Sequence, residues 1–254
     1  MVMLPAMISP DSDTPQFPNP PHYLKDPPMT VTEAVRQRIS TRAFLPTPIT
    51  KGDIADLLTT AQRSPSGGNL QPWKVIAVAG EEKDQIVAMA QRVLAADPMG
   101  AVPGDRPVYP DLKAIDPVYD ARRRRVGEMM YDKIGIPKED RAARLMWFAN
   151  NYRFFGAPIG LFLIIDKRMG HGQWAHMGMY MQTITLLAEE RGWGTCMQEC
   201  WARLRVELHE HFGLDDNHML YAGMAIGVPD PNEPVNDLYA ERAPLSEVVE
   251  FRGF

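Results

Sequence analysis

The apolar run at residues 158–165 constrains the fold more than any other part of this 254-residue chain. The run contains no polar side chain, so a strand formed there is buried on both faces. A second strand, rich in β-branched residues, is predicted at 74–79, and others at 194–198 and 220–228. Helical segments separate these strands. We therefore expect an α+β domain in which helices pack on a central sheet.

Capping residues mark where helices begin. Thr30 and Glu33 form a capping-box pattern, and Thr50 is a second N-cap candidate with Asp53 three residues later. The predicted helices cover about 31–38, 51–63, 82–96, 118–133, 138–151, 173–191 and 201–211. Residues 97–118 contain five prolines and show no clear period, which predicts a long loop.

Composition is that of a globular protein and argues against two classes of partner. Hydrophobic residues make up 45% and charged residues 23% of the chain, and the formal net charge is -5. A negative chain is poorly suited to nucleic acid, so we expect no such partner. No apolar run reaches the length of a membrane span and no secretory signal is evident. We expect no membrane association and a cytoplasmic location.

The first 28 residues differ from the rest of the chain. They contain eight prolines and few large apolar side chains, so they cannot form a helix or a core of their own. Residues 1–28 are therefore predicted to be an N-terminal extension, either a disordered tail or an arm lying on a partner subunit. The folded domain is expected at 29–254.

Two polar segments indicate a ligand site. Residues 38–42 (Arg-Ile-Ser-Thr-Arg) place two guanidiniums and two hydroxyls at the end of a predicted helix, and planar guanidiniums suit a phosphate. Residues 64–73 form a loop of small residues and amides closed by Pro-Trp, which can bring backbone close to a flat ligand. The pair predicts a ligand with a phosphate at one end and a planar heterocycle at the other.

With these two motifs in this order and spacing, the chain resembles the FMN-dependent nitroreductase family from about residue 31 to its end. The resemblance implies a nitroreductase-like fold with a mostly antiparallel central sheet, a domain-swapped-style homodimer with FMN sites at the interface, and NADPH or NADH as reductant. It implies ping-pong kinetics, in which hydride passes from nicotinamide to flavin and a nitroaromatic compound is then reduced to nitroso and hydroxylamino products. The flavin N5 does the chemistry, so no catalytic protein residue is assigned.

The resemblance also implies which residues hold the cofactor. Arg38 would contact the FMN phosphate, Ser40 the phosphate or ribityl region, and Arg42 the pyrimidine end of the flavin. The full predicted set is Arg38, Ser40, Arg42, Pro65, Ser66, Asn69, Gln71, Met197, Gln198, Glu199 and Arg242.

Three details accompany that set. The loop residues at 65–71 would come from the partner subunit, and backbone near Glu199 would donate to flavin N5. Ala240 stands where the family often has Lys or Arg, which is a departure from its pattern. The phosphate charge would then be neutralised by Arg38 and Arg242, with the arginines at 203 and 205 as candidate helpers.

Substrate contacts are expected from the region 97–150. Aromatic side chains there could stack on an electron-poor nitroarene, and the candidates are Tyr109, Tyr119, Tyr131, Trp147 and Phe148. The basic run at 122–125 is interpreted as a solvated helix face with local ion pairs, and a site for the 2′-phosphate of NADPH is the alternative.

Other conspicuous residues have simpler interpretations. Cys196 is interpreted as a small buried hydrophobe, Trp73 as packing under the loop, and the histidines at 209, 211 and 218 as surface residues, so no metal is expected. Two further functions stay open. One is a quinone reductase, enone reductase or reductive dehalogenase with the same fold, and the other is a non-catalytic flavin-binding protein.

Overall fold

The computed structural model describes residues 29–97 and 104–254. The predictions for the N-terminal extension at 1–28, and for 98–103 of the long loop, lie outside the described residues. In the described part of the chain, no helix combines the length and hydrophobicity needed to cross a bilayer.

Within the described ranges, five strands form one antiparallel sheet, which confirms the predicted α+β class. They are β1 (Phe44–Leu45), β2 (Lys74–Ala79), β3 (Ile159–Asp166), β4 (Gly194–Gln198) and β5 (His218–Pro229). The order is β1-β5-β3-β2. Strand β4 also pairs with β5, at residues 223–227, which precede the residues 228–229 that pair with β1. All these pairings are antiparallel. Strand β1 was not predicted, because two residues are too few to show a period of two.

The described part of the chain contains seven α-helices, and their ranges are close to the predicted ones. They are α1 (Val31–Gln37), α2 (Lys51–Ala61), α3 (Gly80–Ala96), α4 (Pro117–Lys133), α5 (Arg141–Phe148), α6 (His171–Glu190) and α7 (Arg205–Phe212). Both predicted N-caps are confirmed as capping boxes, Thr30 with Glu33 and Thr50 with Asp53.

Two helix boundaries differ from the prediction. The helix expected at 201–211 begins at Arg205, because Glu199–Arg203 form a 3₁₀ helix that follows β4 directly. The helix expected at 138–151 is α5 followed by a 3₁₀ segment, Ala149–Gly156. Long-range packing of the aromatic side chains in these segments overrides their local helical pattern.

Strand β3 divides two hydrophobic cores, as its apolar run predicted. Leu161 and Leu163 face a cluster that includes residues of α2 and α6, whereas Phe162 and Ile164 face a cluster built on α3 and Trp201. All four of these β3 side chains are fully buried. Each such burial stabilises the fold by about 1.5–3 kcal/mol, so β3 is the central support of the sheet.

Trp201 fixes the turn after β4. Its ring is fully buried and stacks on Phe154 with centroids 4.7 Å apart. A Cβ atom at Gly223 of β5 would lie 2.3 Å from Trp201 Cδ1, so only glycine leaves room for the indole. The 3₁₀ helix at 199–203 is thereby held against the sheet, at the place where the candidate site lies.

Candidate active site

The segment 38–42 lies beside strand β4 and is not helical. Helix α1 ends at Gln37, Ser40 forms a parallel bridge with Thr195, and the Thr41 N–H donates to the Thr195 carbonyl at 2.9 Å. Arg38 and Arg42 therefore do not lie together on a helix face. They lie on either side of Ser40, whose single β-bridge joins this segment to β4.

Two contacts hold this segment in place. Thr41 is buried against Gly194, where a Cβ atom would lie only 2.2 Å from Thr41 Oγ1. Asn236 clamps the next residues, since its Oδ1 accepts from the Arg42 N–H and its Nδ2 donates to the Ala43 carbonyl, both at 2.9 Å. Sequence reasoning missed Asn236, because an asparagine in a proline-rich stretch resembles an ordinary turn residue.

Four of the predicted cofactor residues line one groove: Arg38, Ser40, Arg42 and Arg242. In the ranges 29–97 and 104–254, no carboxylate oxygen lies within 4 Å of any of the three guanidiniums. Arg42 donates to the Ser40 carbonyl at 3.2 Å, and Arg242 to the Ala240 carbonyl at 2.8 Å. Arg36 lines the same groove and also has no carboxylate partner among the described residues, so four cations make this groove suitable for an anion.

A cavity of about 490 Å³ adjoins the groove and shares Arg42, Val126 and Leu238 with it. Its size is typical of a site for a small molecule. The predicted residues that line it are Tyr109, Tyr131, Phe148, Met197, Gln198 and Glu199. Tyr119 and Trp147 are not among its lining residues. Tyr119 is exposed with Arg122 over its ring, and Trp147 packs on Phe155 with centroids 6.2 Å apart.

Strand β4 ends at the floor of this cavity. Met197 is 38% exposed, whereas its neighbours Cys196 and Gln198 are buried. Gln198 donates to the Asn151 carbonyl at 2.6 Å and accepts from the Trp201 indole, so its side chain is bound within the protein. Burial raises the pKa of the Cys196 thiol, although the nearby Arg42 and Arg38 oppose this. The interpretation of Cys196 as a small buried hydrophobe is confirmed.

A buried carboxylate that sequence reasoning missed anchors the loop beside the cavity. The side chain of Asp105 is fully buried, and its Oδ2 accepts from the Leu220 N–H and faces His209 Nε2, both at 2.8 Å. Arg205 Nε donates to its other oxygen at 3.2 Å. A buried charge needs such partners, and they fix the chain just before Tyr109.

Two predictions about neighbouring residues were wrong. His209 is only 8% exposed and is bound to Asp105, so it is not a surface histidine. Arg205 pairs with Asp105 and Asp216, and Arg203 lines a different groove, so neither is placed to neutralise a phosphate near Arg38.

Arg106 continues this anchor towards Glu199. Its Nε donates to the Tyr221 carbonyl at 2.9 Å, and its guanidinium carbon lies 4.7 Å from the centre of the Tyr221 ring. Arg106 Nη2 lies 3.4 Å from a carboxylate oxygen of Glu199. The negative charge of Glu199 at the cavity wall is therefore compensated by the guanidinium of Arg106.

The basic run at 122–125 forms ion pairs, as one interpretation predicted. Arg122 pairs with Glu247 at 2.7 Å and Arg125 with Glu241 at 2.9 Å. Arg123 and Arg124 both bind Asp120. Arg123 is the member of the run that also lines the cavity.

The loop at 64–73 lies away from the groove in the same chain. Trp73 stacks on Tyr180 with centroids 4.6 Å apart, which confirms that it packs under the loop. Asn69 and Gln71 have positive φ angles of 55° and 47°, and Ser66 Oγ accepts from the Gln71 N–H. Non-glycine residues rarely adopt this backbone, and such strain is concentrated at functional sites. Pro65, Asn69 and Gln71 are exposed, and the loop lines neither groove nor cavity.

Comparison with known proteins identifies the family. The sequence model of the Nitroreductase family matches residues 35–228. The chain belongs to the nitroreductase family. The chain is 34% identical to 4-nitrobenzoate reductase from Pseudomonas putida over 223 residues, which are 87% of this chain and 94% of that protein. It is 30% identical to nitrobenzene nitroreductase from Ectopseudomonas oleovorans, over 87% and 96% of the two chains.

Solved structures agree with the fold of this chain. The FMN and NADPH-dependent nitroreductase NfnB from Sphigopyxis sp. strain HMH superposes with a TM-score of 0.84 at 40% identity, covering 89% of this chain and all of that one. The FMN-dependent nitroreductase NfnB from Mycobacterium smegmatis, in complex with NADPH, gives a TM-score of 0.79 at 27% identity, covering 87% and 97%.

Proposed function

We propose that this chain binds FMN and reduces nitroaromatic compounds with NADPH or NADH as the reductant. One observation carries the proposal. Four arginines, Arg36, Arg38, Arg42 and Arg242, line a groove without a carboxylate partner among the described residues, and that groove opens into a cavity of suitable size at the end of β4. The family to which the chain belongs and the printed names of its relatives support the same activity.

The groove fits the phosphate end of FMN. Arg38 and Arg242 would bind the dianion with charge-assisted hydrogen bonds, and the Ser40 hydroxyl would add a neutral one. Arg42 lines both groove and cavity, which suits a position at the pyrimidine end of the flavin. Bound FMN supplies the hydride-accepting chemistry, and a cation there stabilises the negative charge that reduction leaves on the ring.

The cavity suits flat, electron-poor compounds. Tyr109, Tyr131 and Phe148 provide aromatic walls, and the exposed Met197 provides apolar surface at the end of β4. Backbone near Glu199 would hold the flavin edge. One cavity serves nicotinamide and nitroarene in turn, which predicts ping-pong kinetics and products at the nitroso and hydroxylamino levels.

We further propose that the FMN sites lie at the interface of a homodimer. Pro65, Ser66, Asn69 and Gln71 would contact the cofactor held by the other subunit, since in their own chain they line neither groove nor cavity. Exposed apolar side chains near this loop, Leu70 at 54% and Met179 of α6 at 47%, support burial by a second copy. The two cysteines are free and buried, which suits a reducing compartment such as the cytoplasm.

Colour changes of the reconstituted protein test the proposed activity. Protein saturated with FMN should be yellow, should bleach with NADPH or NADH without oxygen, and should regain its colour when a nitroarene is added. Recovery with quinones or enones but not with nitroarenes would favour a different acceptor. Failure to bleach with either nicotinamide would favour a flavin-binding protein without turnover.

Mixing two inactive variants tests the shared site. Arg38→Met and an Asn69→Ala/Gln71→Ala double variant are each expected to lose activity. After mixing and subunit exchange, half of the dimers are hybrids and one of their two sites has all native contacts, so about a quarter of the activity should return. If loop and arginine instead acted within one chain, every site would carry a substitution and no activity would return.

A further inference from the structure

Helix α4 brings one positive charge to the cavity. Arg123 lines the cavity with 42% of its side chain exposed, and its guanidinium carbon lies 5.5 Å from the centre of the Tyr109 ring. Arg124, the next residue, is 72% exposed and does not line the cavity. Neighbouring side chains on a helix point in different directions, so the run offers a single guanidinium to a bound ligand.

Asp120 does not cancel this charge. Its carboxylate accepts from Arg123 Nε at 2.9 Å and Nη2 at 2.8 Å, and from Arg124 Nε at 2.6 Å. One negative charge is thus shared by two guanidiniums, which leaves the trio with a net charge of about +1. Nη1 of Arg123 has no hydrogen-bond partner among the described residues, so this edge of the fork is available to an anion.

The other charges at the cavity also favour an anion. Among the described residues that line the cavity, Glu199 is the acidic one, and Arg106 at 3.4 Å compensates its charge. Arg42 adds a second positive charge at the side that adjoins the groove. Apolar and aromatic walls exclude much of the water that would screen these charges. Their electrostatic attraction for a bound anion is therefore stronger than it would be in open solvent.

We propose that Arg123 is a specificity residue that selects nitroaromatic substrates carrying a carboxylate, such as nitrobenzoates. The carboxylate would bind the free edge of Arg123, and the ring would lie against Tyr109 and Phe148. A guanidinium fork matches a carboxylate in both charge and shape. The inference rests on the proposed nitroreductase activity and adds the class of acceptor to it.

The test compares 4-nitrobenzoate with 4-nitrobenzamide, a neutral compound of nearly the same shape. Wild-type protein is expected to show a higher kcat/KM for the carboxylate. Arg123→Met should lower kcat/KM for 4-nitrobenzoate about tenfold, mainly through KM, and should leave 4-nitrobenzamide within about twofold. Arg124→Met is the matched control, because it also removes one guanidinium from Asp120 but lies outside the cavity. It should leave the ratio of the two substrates unchanged.

A second variant works in the opposite direction. Asp120→Asn keeps Arg123 and removes the shared negative charge, so the preference for 4-nitrobenzoate is expected to increase. A decrease in that preference, or an unchanged ratio in Arg123→Met, would overturn the inference. Loss of NADPH relative to NADH turnover in Arg123→Met, with the substrate ratio intact, would also overturn it and assign Arg123 to the coenzyme phosphate.

The two proposals fail in different ways. If wild-type protein with bound FMN reduces neither nitro compound, the proposed function is wrong. If it reduces the two compounds with equal kcat/KM, the proposed function stands and the anion subsite does not.

Discussion

Replacing Arg38 by methionine is expected to weaken FMN binding about ten- to a hundredfold. Arg38 lines the groove without a carboxylate partner in the described part of the chain, so its charge is available to the phosphate. A hydrogen bond to a charged group is worth about 1.5–3 kcal/mol, which corresponds to that change in the dissociation constant. Titration of the apoprotein with FMN, followed by quenching of flavin fluorescence, measures it.

Two further variants make this result specific. Arg38→Lys should bind FMN with intermediate affinity, because an ammonium keeps the charge but loses the planar fork. Arg63→Met removes an exposed arginine that does not line the groove, and should leave affinity within about twofold. If Arg38→Met bound FMN as tightly as the Arg63 control, the groove would not be the phosphate site.

Replacing Gly194 by alanine is expected to lower stability and FMN affinity together. The new Cβ would lie 2.2 Å from Thr41 Oγ1 and 2.9 Å from Pro229 Cγ, so the segment 38–42 and β4 must move apart. Overpacking of this kind costs about 1–3 kcal/mol. For a protein of this size each kcal/mol lowers the melting temperature by about 2–4 °C, which differential scanning calorimetry detects.

A matched glycine provides the control for this experiment. In helix α2, a Cβ atom at Gly52 would meet only Thr50 Oγ1 at 3.5 Å, an ordinary contact. Gly52→Ala should be neutral or stabilising by up to about 1 kcal/mol, because alanine favours the helix. Adding Thr41→Ala to Gly194→Ala should restore part of the loss. Additive losses in that double variant would mean that the Thr41 contact does not position the arginine segment.

Local pattern in the sequence was sufficient for most of the fold. The apolar run at 158–165 predicted a strand buried on both faces, and the two threonine caps placed the starts of α1 and α2. Trp73 and Cys196 were also interpreted correctly, since aromatic and free thiol side chains are usually buried. These features depend on residues close together in the chain, which is why single-sequence reasoning finds them.

The features that were missed depend on distant partners. Asp105 meets His209, 104 positions later, and Asn236 meets Arg42 across 194 positions. Nothing in the flanking residues distinguishes these side chains from ordinary polar loop residues. The same holds for the start of α7, which depends on Trp201 packing against Gly223 in another strand. Long-range complementarity of this kind is visible only once the sheet has formed.

Helices α4 and α5 bring Arg123, Tyr131 and Phe148 to the cavity, yet neither helix has a fully buried residue. Substitutions at surface positions typically change the free energy of unfolding by less than about 0.5 kcal/mol. The sequences of these helices can therefore diverge with little loss of stability. The arginine segment beside β4, in contrast, is locked into the sheet by Thr41 and Gly194. Substitutions in these two helices can therefore change substrate specificity during evolution, while the residues that would bind FMN keep their positions.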